Sequence, residues 1–129
     1  YSGSKSDHHN ALYILAHSAS GGQLVQYLRD STNQYLLPHI KALVFTDSTH
    51  TIQGARKDTP ELAELLESSA SMYIRSANEK CDALYHMRKV GEEVKVDQHW
   101  KNRFGEIRTV WAGTKEHSLT NWVAQSIIW

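Results

Sequence analysis

Residues 11–22 read Ala-Leu-Tyr-Ile-Leu-Ala-His-Ser-Ala-Ser-Gly-Gly, and they constrain the fold more than any other stretch of the chain. The apolar run from Leu12 to Ala16 predicts a strand that is covered on both faces. The pattern changes at Ser18, whose second neighbours Ala16 and Ser20 are both small. A strand, a serine between small residues and then a helix is the layout of a nucleophile elbow. In such a turn the two backbones come so close that large side chains at the second neighbours would clash.

The predicted turn also has a chemical consequence. A helix over Gln23–Asp30, with Leu24, Tyr27 and Leu28 at helical spacing, would place the Ser18 hydroxyl at its N-terminus. The backbone N–H of Ala19 would then be able to bind an oxyanion. A phosphate-binding turn between a strand and a helix is the alternative interpretation of the same pattern.

Three further apolar runs predict strands: Ile40–Thr46, Ser71–Ser76 and Ile107–Ala112. With helices between them they indicate right-handed βαβ units, and therefore a parallel sheet and an α/β fold. One helix is predicted to begin at Pro60, capped by Asp58 or Thr59, with a buried stripe of leucines. The remaining predictions are a polar loop at Gly54–Asp58, an irregular segment at Ala83–Phe104 and a last helix after Ser118.

Ionisable side chains follow several of these strands. Asp47 and His50 come after the second strand, Asp82 after the third and His117 after the fourth. The carboxyl ends of parallel strands share one edge of the sheet, where ligands bind in α/β folds. In the order serine, acid, histidine, His117 would be the general base for Ser18, and a carboxylate would orient its imidazole.

Two residues compete for the role of that carboxylate. Asp47 follows its strand more tightly and is slightly favoured, whereas Asp82 lies after the second strand beyond the nucleophile, the usual place for the acid. A helix or turn cap is an equally good interpretation of Asp47. His50 is an accessory candidate.

Three motifs resemble a known family: Ala-His-Ser-Ala-Ser-Gly-Gly at 16–22, Thr-Asp-Ser-Thr-His at 46–50 and Ala-Gly-Thr-Lys-Glu-His at 112–117. They are similar to the α/β-hydrolase-like domain of the argonaute-binding protein in the fission-yeast siRNA chaperone complex. Related domains occur in an animal cotranscriptional regulator and at the C-terminus of fungal class II histone deacetylases. By position, Ser18 matches the family's nucleophile, Asp47 and His50 its Asp-Ser-x-His turn, and His117 its terminal histidine.

The resemblance implies a single α/β-hydrolase-like domain over residues 1–129, corresponding to the C-terminal half of the hydrolase sheet without its N-terminal strands. It further implies a regulatory or interaction domain in RNA silencing or chromatin regulation, with argonaute or histone deacetylase machinery as protein partners. Nucleus and cytoplasm are the expected locations. The alternative is an active serine hydrolase of the esterase type.

The amino-acid composition limits the classes of partner that we expect for this chain. Lys and Arg together number 14, as do Asp and Glu, so the balance of charge does not favour nucleic acid or an anionic membrane. The single cysteine, Cys81, excludes an intrachain disulfide and favours a reducing compartment. The pair His8-His9 is interpreted as surface histidines, and a metal site that combines them with His50 is the weaker alternative. Neither a metal nor a cofactor is predicted.

Overall fold

The computed structural model describes residues 11–76 and 89–112. Its strands are β1 (Leu12–His17), β2 (Ile40–Thr46), β3 (Ser71–Arg75) and β4 (Arg108–Trp111). They pair in parallel in the order β1-β2-β3-β4. The predicted α/β fold is therefore confirmed, and each predicted strand agrees with the observed one to within a residue at either end.

Helices cover one face of the sheet. They are α1 (Ala19–Arg29), α2 (Gln53–Asp58), α3 (Pro60–Leu66) and α4 (Gln98–Phe104), and a 3-10 helix spans Ser31–His39. The main core lies between these helices and the sheet and includes Leu43, Phe45 and Tyr73. On the opposite face, Val44, Ile74 and Val110 belong to a second cluster. Burial on both faces explains why β2 and β3 are rich in apolar residues.

Helix α1 begins directly after Ser18 and buries Gly21, Val25 and Leu28. Of the three residues at helical spacing, Leu28 is buried and Leu24 packs against the core, whereas the Tyr27 side chain is 52% exposed. The helix begins at Ala19, four residues before the predicted start, and Gly21 in its first turn lies close to Ser48 and Phe45. Its position brings the first turn of α1 close to the end of β2.

Two short helices replace segments that were predicted to be irregular. Residues Gly54–Asp58 form most of α2 rather than a loop, because Ala55 and the preceding Ile52 are fully buried in the core. Helix α4 lies within the segment predicted to be irregular, and its N-cap Asp97 accepts a hydrogen bond from the Trp100 N–H at 2.9 Å. Helices of six or seven residues are too short to show a helical period.

Helix α3 begins at Pro60, as predicted, and buries Leu62 and Leu66. The predicted cap is only half right. Thr59 occupies the N-cap position, but its side chain makes no capping bond. Its hydroxyl donates to the Asp58 carboxylate instead, at 2.8 Å. The helix predicted after Ser118 lies outside the described residues.

The two edges of the sheet differ. Along β4, residues near Glu93 pair in the antiparallel sense, and the Trp111 N–H donates to the Glu92 carbonyl at 2.8 Å. On β1, Tyr13 is 69% exposed and Leu15 is 36% exposed within this chain. The prediction that this strand is covered on both faces is therefore wrong for the chain by itself. In the part of the chain that the structure describes, no helix has the length and apolar character needed to cross a membrane.

Candidate active site at the carboxyl edge of the sheet

Ser18 occupies a sharp turn between β1 and α1. Its dihedral angles are φ 55° and ψ −126°, a combination outside the allowed regions for residues with a side chain. Backbone strain of this kind costs about 1–3 kcal/mol and persists only where the surroundings enforce it. Here the Ser18 N–H donates to the Thr46 carbonyl at 2.9 Å, and the Ser18 carbonyl accepts from the Gly21 N–H at 3.1 Å. The neighbouring strand and the first turn of the helix therefore hold the serine in place.

Helix α1 comes close to the sheet at Gly21. A Cβ on this residue would lie 2.7 Å from Ser48 Cβ and 3.3 Å from Phe45 Cδ1, so only glycine fits. The sequence pattern predicts the steric demand at Ala16 and Ser20 instead. Ala16 is indeed buried, but Ser20 is exposed. The Gly-Gly pair after the serine is the sequence signal for this contact.

The start of α1 provides one hydrogen-bond donor for a developing negative charge. Ala19 is the first residue of the helix, so its N–H has no acceptor within the helix and lies at the positive end of the helix dipole. The Ser18 side chain does not cap the helix. In this arrangement the hydroxyl can attack a carbonyl, and the N–H of the following residue can bind the resulting oxyanion.

Asp47 lies beside Ser18 at the same edge. The two residues follow a pair of register partners, His17 on β1 and Thr46 on β2. Asp47 also has a positive φ of 45°, and its Oδ1 accepts a hydrogen bond from the Ser76 N–H at 2.7 Å. The carboxylate thus ties the end of β2 to the residue after β3, as a turn cap would. A carboxylate has two oxygens, so this bond is compatible with a second role in orienting an imidazole.

His50 lies inside the core. Its side chain is 2% exposed, its ring stacks on Phe45 at a centroid distance of 3.9 Å, and its Nδ1 is 2.7 Å from Ser48 Oγ. Burial, followed by the charge of Arg103, lowers its pKa to about 4, so the ring is neutral at pH 7. Its buried Nε2 has no hydrogen-bond partner among the residues that the structure describes. These contacts give His50 a packing role that its position in the sequence did not indicate.

Ser48 connects this histidine to the rest of the core. Its Oγ also accepts from the His50 N–H at 3.2 Å, and its carbonyl accepts from the Tyr73 hydroxyl at 2.6 Å. Neither Ser48, which lies within the Asp-Ser-x-His turn, nor Tyr73 is among the predicted site residues, because the contact between them joins residues that are far apart in the sequence. Together they fix the turn after β2, and with it the position of Asp47.

His117 and Asp82 lie outside the described residues, so the predicted triad stays a prediction. The structure brings Ser18, Ala19 and Asp47 together at one edge of the sheet. His8 and His9 also lie outside the described residues. Over residues 11–76 and 89–112, no three His, Cys, Asp or Glu side chains are grouped closely enough to hold a metal ion.

No family model, no curated protein and no solved structure matches this sequence. The resemblance to argonaute-binding-protein domains therefore stays a prediction that rests on the three motifs. What the structure adds is a four-stranded parallel sheet with a strained serine at its carboxyl edge.

Proposed function

We propose that this chain is an α/β-hydrolase-like regulatory domain that acts through protein partners and keeps a nucleophile elbow at Ser18. The observation that carries the proposal is the backbone of Ser18, strained at φ 55° between a parallel strand and a helix. A tight turn without a special role for the serine would favour glycine at this φ. The three motifs support argonaute or histone deacetylase machinery in nucleus or cytoplasm as the setting.

The residues around Ser18 favour a regulatory role over catalysis. The Asp47 carboxylate holds the Ser76 N–H, and His50 is enclosed by aromatic rings. Asp47 and His50 of the Asp-Ser-x-His turn thus contribute to the scaffold. These contacts would maintain the shape of the carboxyl edge of the sheet whether or not a reaction takes place there.

An active serine hydrolase is the second candidate, and the position of the Ala19 N–H at the start of α1 favours it. In that mechanism the Ser18 hydroxyl attacks an ester carbonyl while His117 takes its proton. Asp47 or Asp82 orients the imidazole, and the Ala19 N–H stabilises the oxyanion. His117 then protonates the leaving alcohol, and water hydrolyses the acyl-enzyme.

A fluorophosphonate probe and a binding assay separate the two candidates. The regulatory proposal predicts no labelling and retained co-purification with argonaute or histone deacetylase complexes, in the wild type and in Ser18→Ala alike. Labelling that disappears in Ser18→Ala but persists in Ser20→Ala, the matched exposed serine, would establish the hydrolase instead. Failure of the wild type to associate with either complex would refute the regulatory proposal.

A further inference from the structure

Arg75, the last residue of β3, lies against two tryptophan rings. Its Cζ is 4.4 Å from the ring centroid of Trp100 and 5.1 Å from that of Trp111. Trp100 belongs to α4, and Trp111 is the register partner of Arg75 on β4. Rings from two separate elements therefore restrict where the guanidinium can lie.

The surroundings of Arg75 differ from those of the other arginines within residues 11–76 and 89–112. Arg29, Arg56 and Arg108 each form an ion pair with a carboxylate. Arg103 donates to the backbone carbonyls of Thr49 and His50. Among the residues that the structure describes, no carboxylate forms an ion pair with Arg75, although this side chain is half-buried.

This combination has a physical implication. A guanidinium stacked on aromatic rings keeps its N–H donors at its edge, in a planar fork that matches a carboxylate. Partial burial weakens its hydration and strengthens its attraction to an incoming anion. Because the two indoles already restrict the side chain, less conformational entropy is lost when an anion binds.

We propose that Arg75 is an anion-recognition residue whose guanidinium, positioned by Trp100 and Trp111, binds a carboxylate group of a ligand. The next residue is Ser76, whose N–H is held by Asp47, so the site lies at the same edge of the sheet as Ser18. The carboxylate belongs either to a small organic acid or to an acidic side chain of a protein. The inference depends only on the surroundings of Arg75 and is independent of the regulatory proposal.

Tryptophan fluorescence provides the test, because two indoles contact the guanidinium. The whole chain is titrated with sodium succinate at constant ionic strength, with chloride as the balancing anion. We expect a saturable change in emission and an affinity that falls at least about tenfold in Arg75→Gln, since the charged hydrogen bonds are lost. Arg75→Lys should also bind more weakly, because an ammonium cannot provide the planar fork.

Arg108→Gln is the matched control, because Arg108 is an exposed arginine of the same sheet that pairs with Glu93. It should bind succinate as the wild type does. A Glu-rich peptide that binds more tightly than succinate would assign the carboxylate to a protein, and the reverse order would assign it to a small acid. No saturable change in the wild type, or equal affinity in Arg75→Lys and the wild type, would overturn the proposal. Far-UV circular dichroism checks that each variant is folded.

Discussion

The tight contact between α1 and the turn after β2 makes Gly21→Ala a revealing substitution. The added methyl group would meet Ser48 Cβ at 2.7 Å and Phe45 Cδ1 at 3.3 Å, and both of these residues are almost fully buried. Overpacking of this kind costs about 1–3 kcal/mol. Displacing Ser48 would also weaken its bond to His50 Nδ1, worth about 1 kcal/mol. The better helix propensity of alanine offsets about 1 kcal/mol of this loss of stability.

We therefore expect Gly21→Ala to lower the free energy of unfolding by about 2 kcal/mol, measured by urea denaturation with an unchanged m-value. Gly22→Ala is the matched control, because its Cβ would lie in open space except for Thr49 Oγ1 at 3.7 Å. That variant should be as stable as the wild type or up to about 1 kcal/mol more stable. Equal stability of the two variants would refute the close approach at Gly21.

Two other residues at this edge give further predictions. Asp47→Ala should destabilise the fold by about 2 kcal/mol, because it removes the acceptor of the Ser76 N–H and places alanine at φ 45°. Asp47→Asn should cost less, because asparagine keeps an acceptor and tolerates positive φ; urea denaturation of both variants checks this, and wild-type stability of Asp47→Ala would contradict it. His50 has a folded-state pKa of about 4 and an unfolded value of 6.5, so the unfolded chain binds the extra proton between these pH values. The contribution of neutral His50 to the free energy of unfolding is fully present above pH 6.5. It falls by about 3 kcal/mol as the pH drops to 4. His50→Gln should remove this part of the pH dependence in urea denaturation, and an unchanged slope would contradict the assignment.

The four strands were predictable because each contains a short run rich in apolar and β-branched residues, and β2 and β3 pack on both faces against other parts of the chain. Strand β1 has the same pattern although Tyr13 and Leu15 are exposed. Ser18 was recognisable because small residues and glycines surround it at the point where the apolar pattern changes from that of a strand to that of a helix. Local sequence was sufficient for both. Helix α2 was not predictable, because only Ile52 and Ala55 anchor it and six residues contain no repeat of the apolar pattern.

Other features depend on partners that are distant in the sequence. The demand for glycine at Gly21 arises from Ser48, and the inward position of His50 arises from Phe45, Tyr73 and Phe104. For Asp47, the sequence left a triad acid and a turn cap equally open. The bond to the Ser76 N–H became visible only once β3 was placed beside β2.

The central claim is that the surrounding structure forces Ser18 into a backbone conformation that residues with a side chain avoid. Ser18→Gly and Ser18→Ala test it as a matched pair, since both remove the hydroxyl. At an ordinary position glycine is about 1 kcal/mol less stable than alanine. Here the strain of about 1–3 kcal/mol reverses that order, so Ser18→Gly should have the higher free energy of unfolding in urea. Equal stability of the two variants, or a more stable Ser18→Ala, would contradict the strained turn.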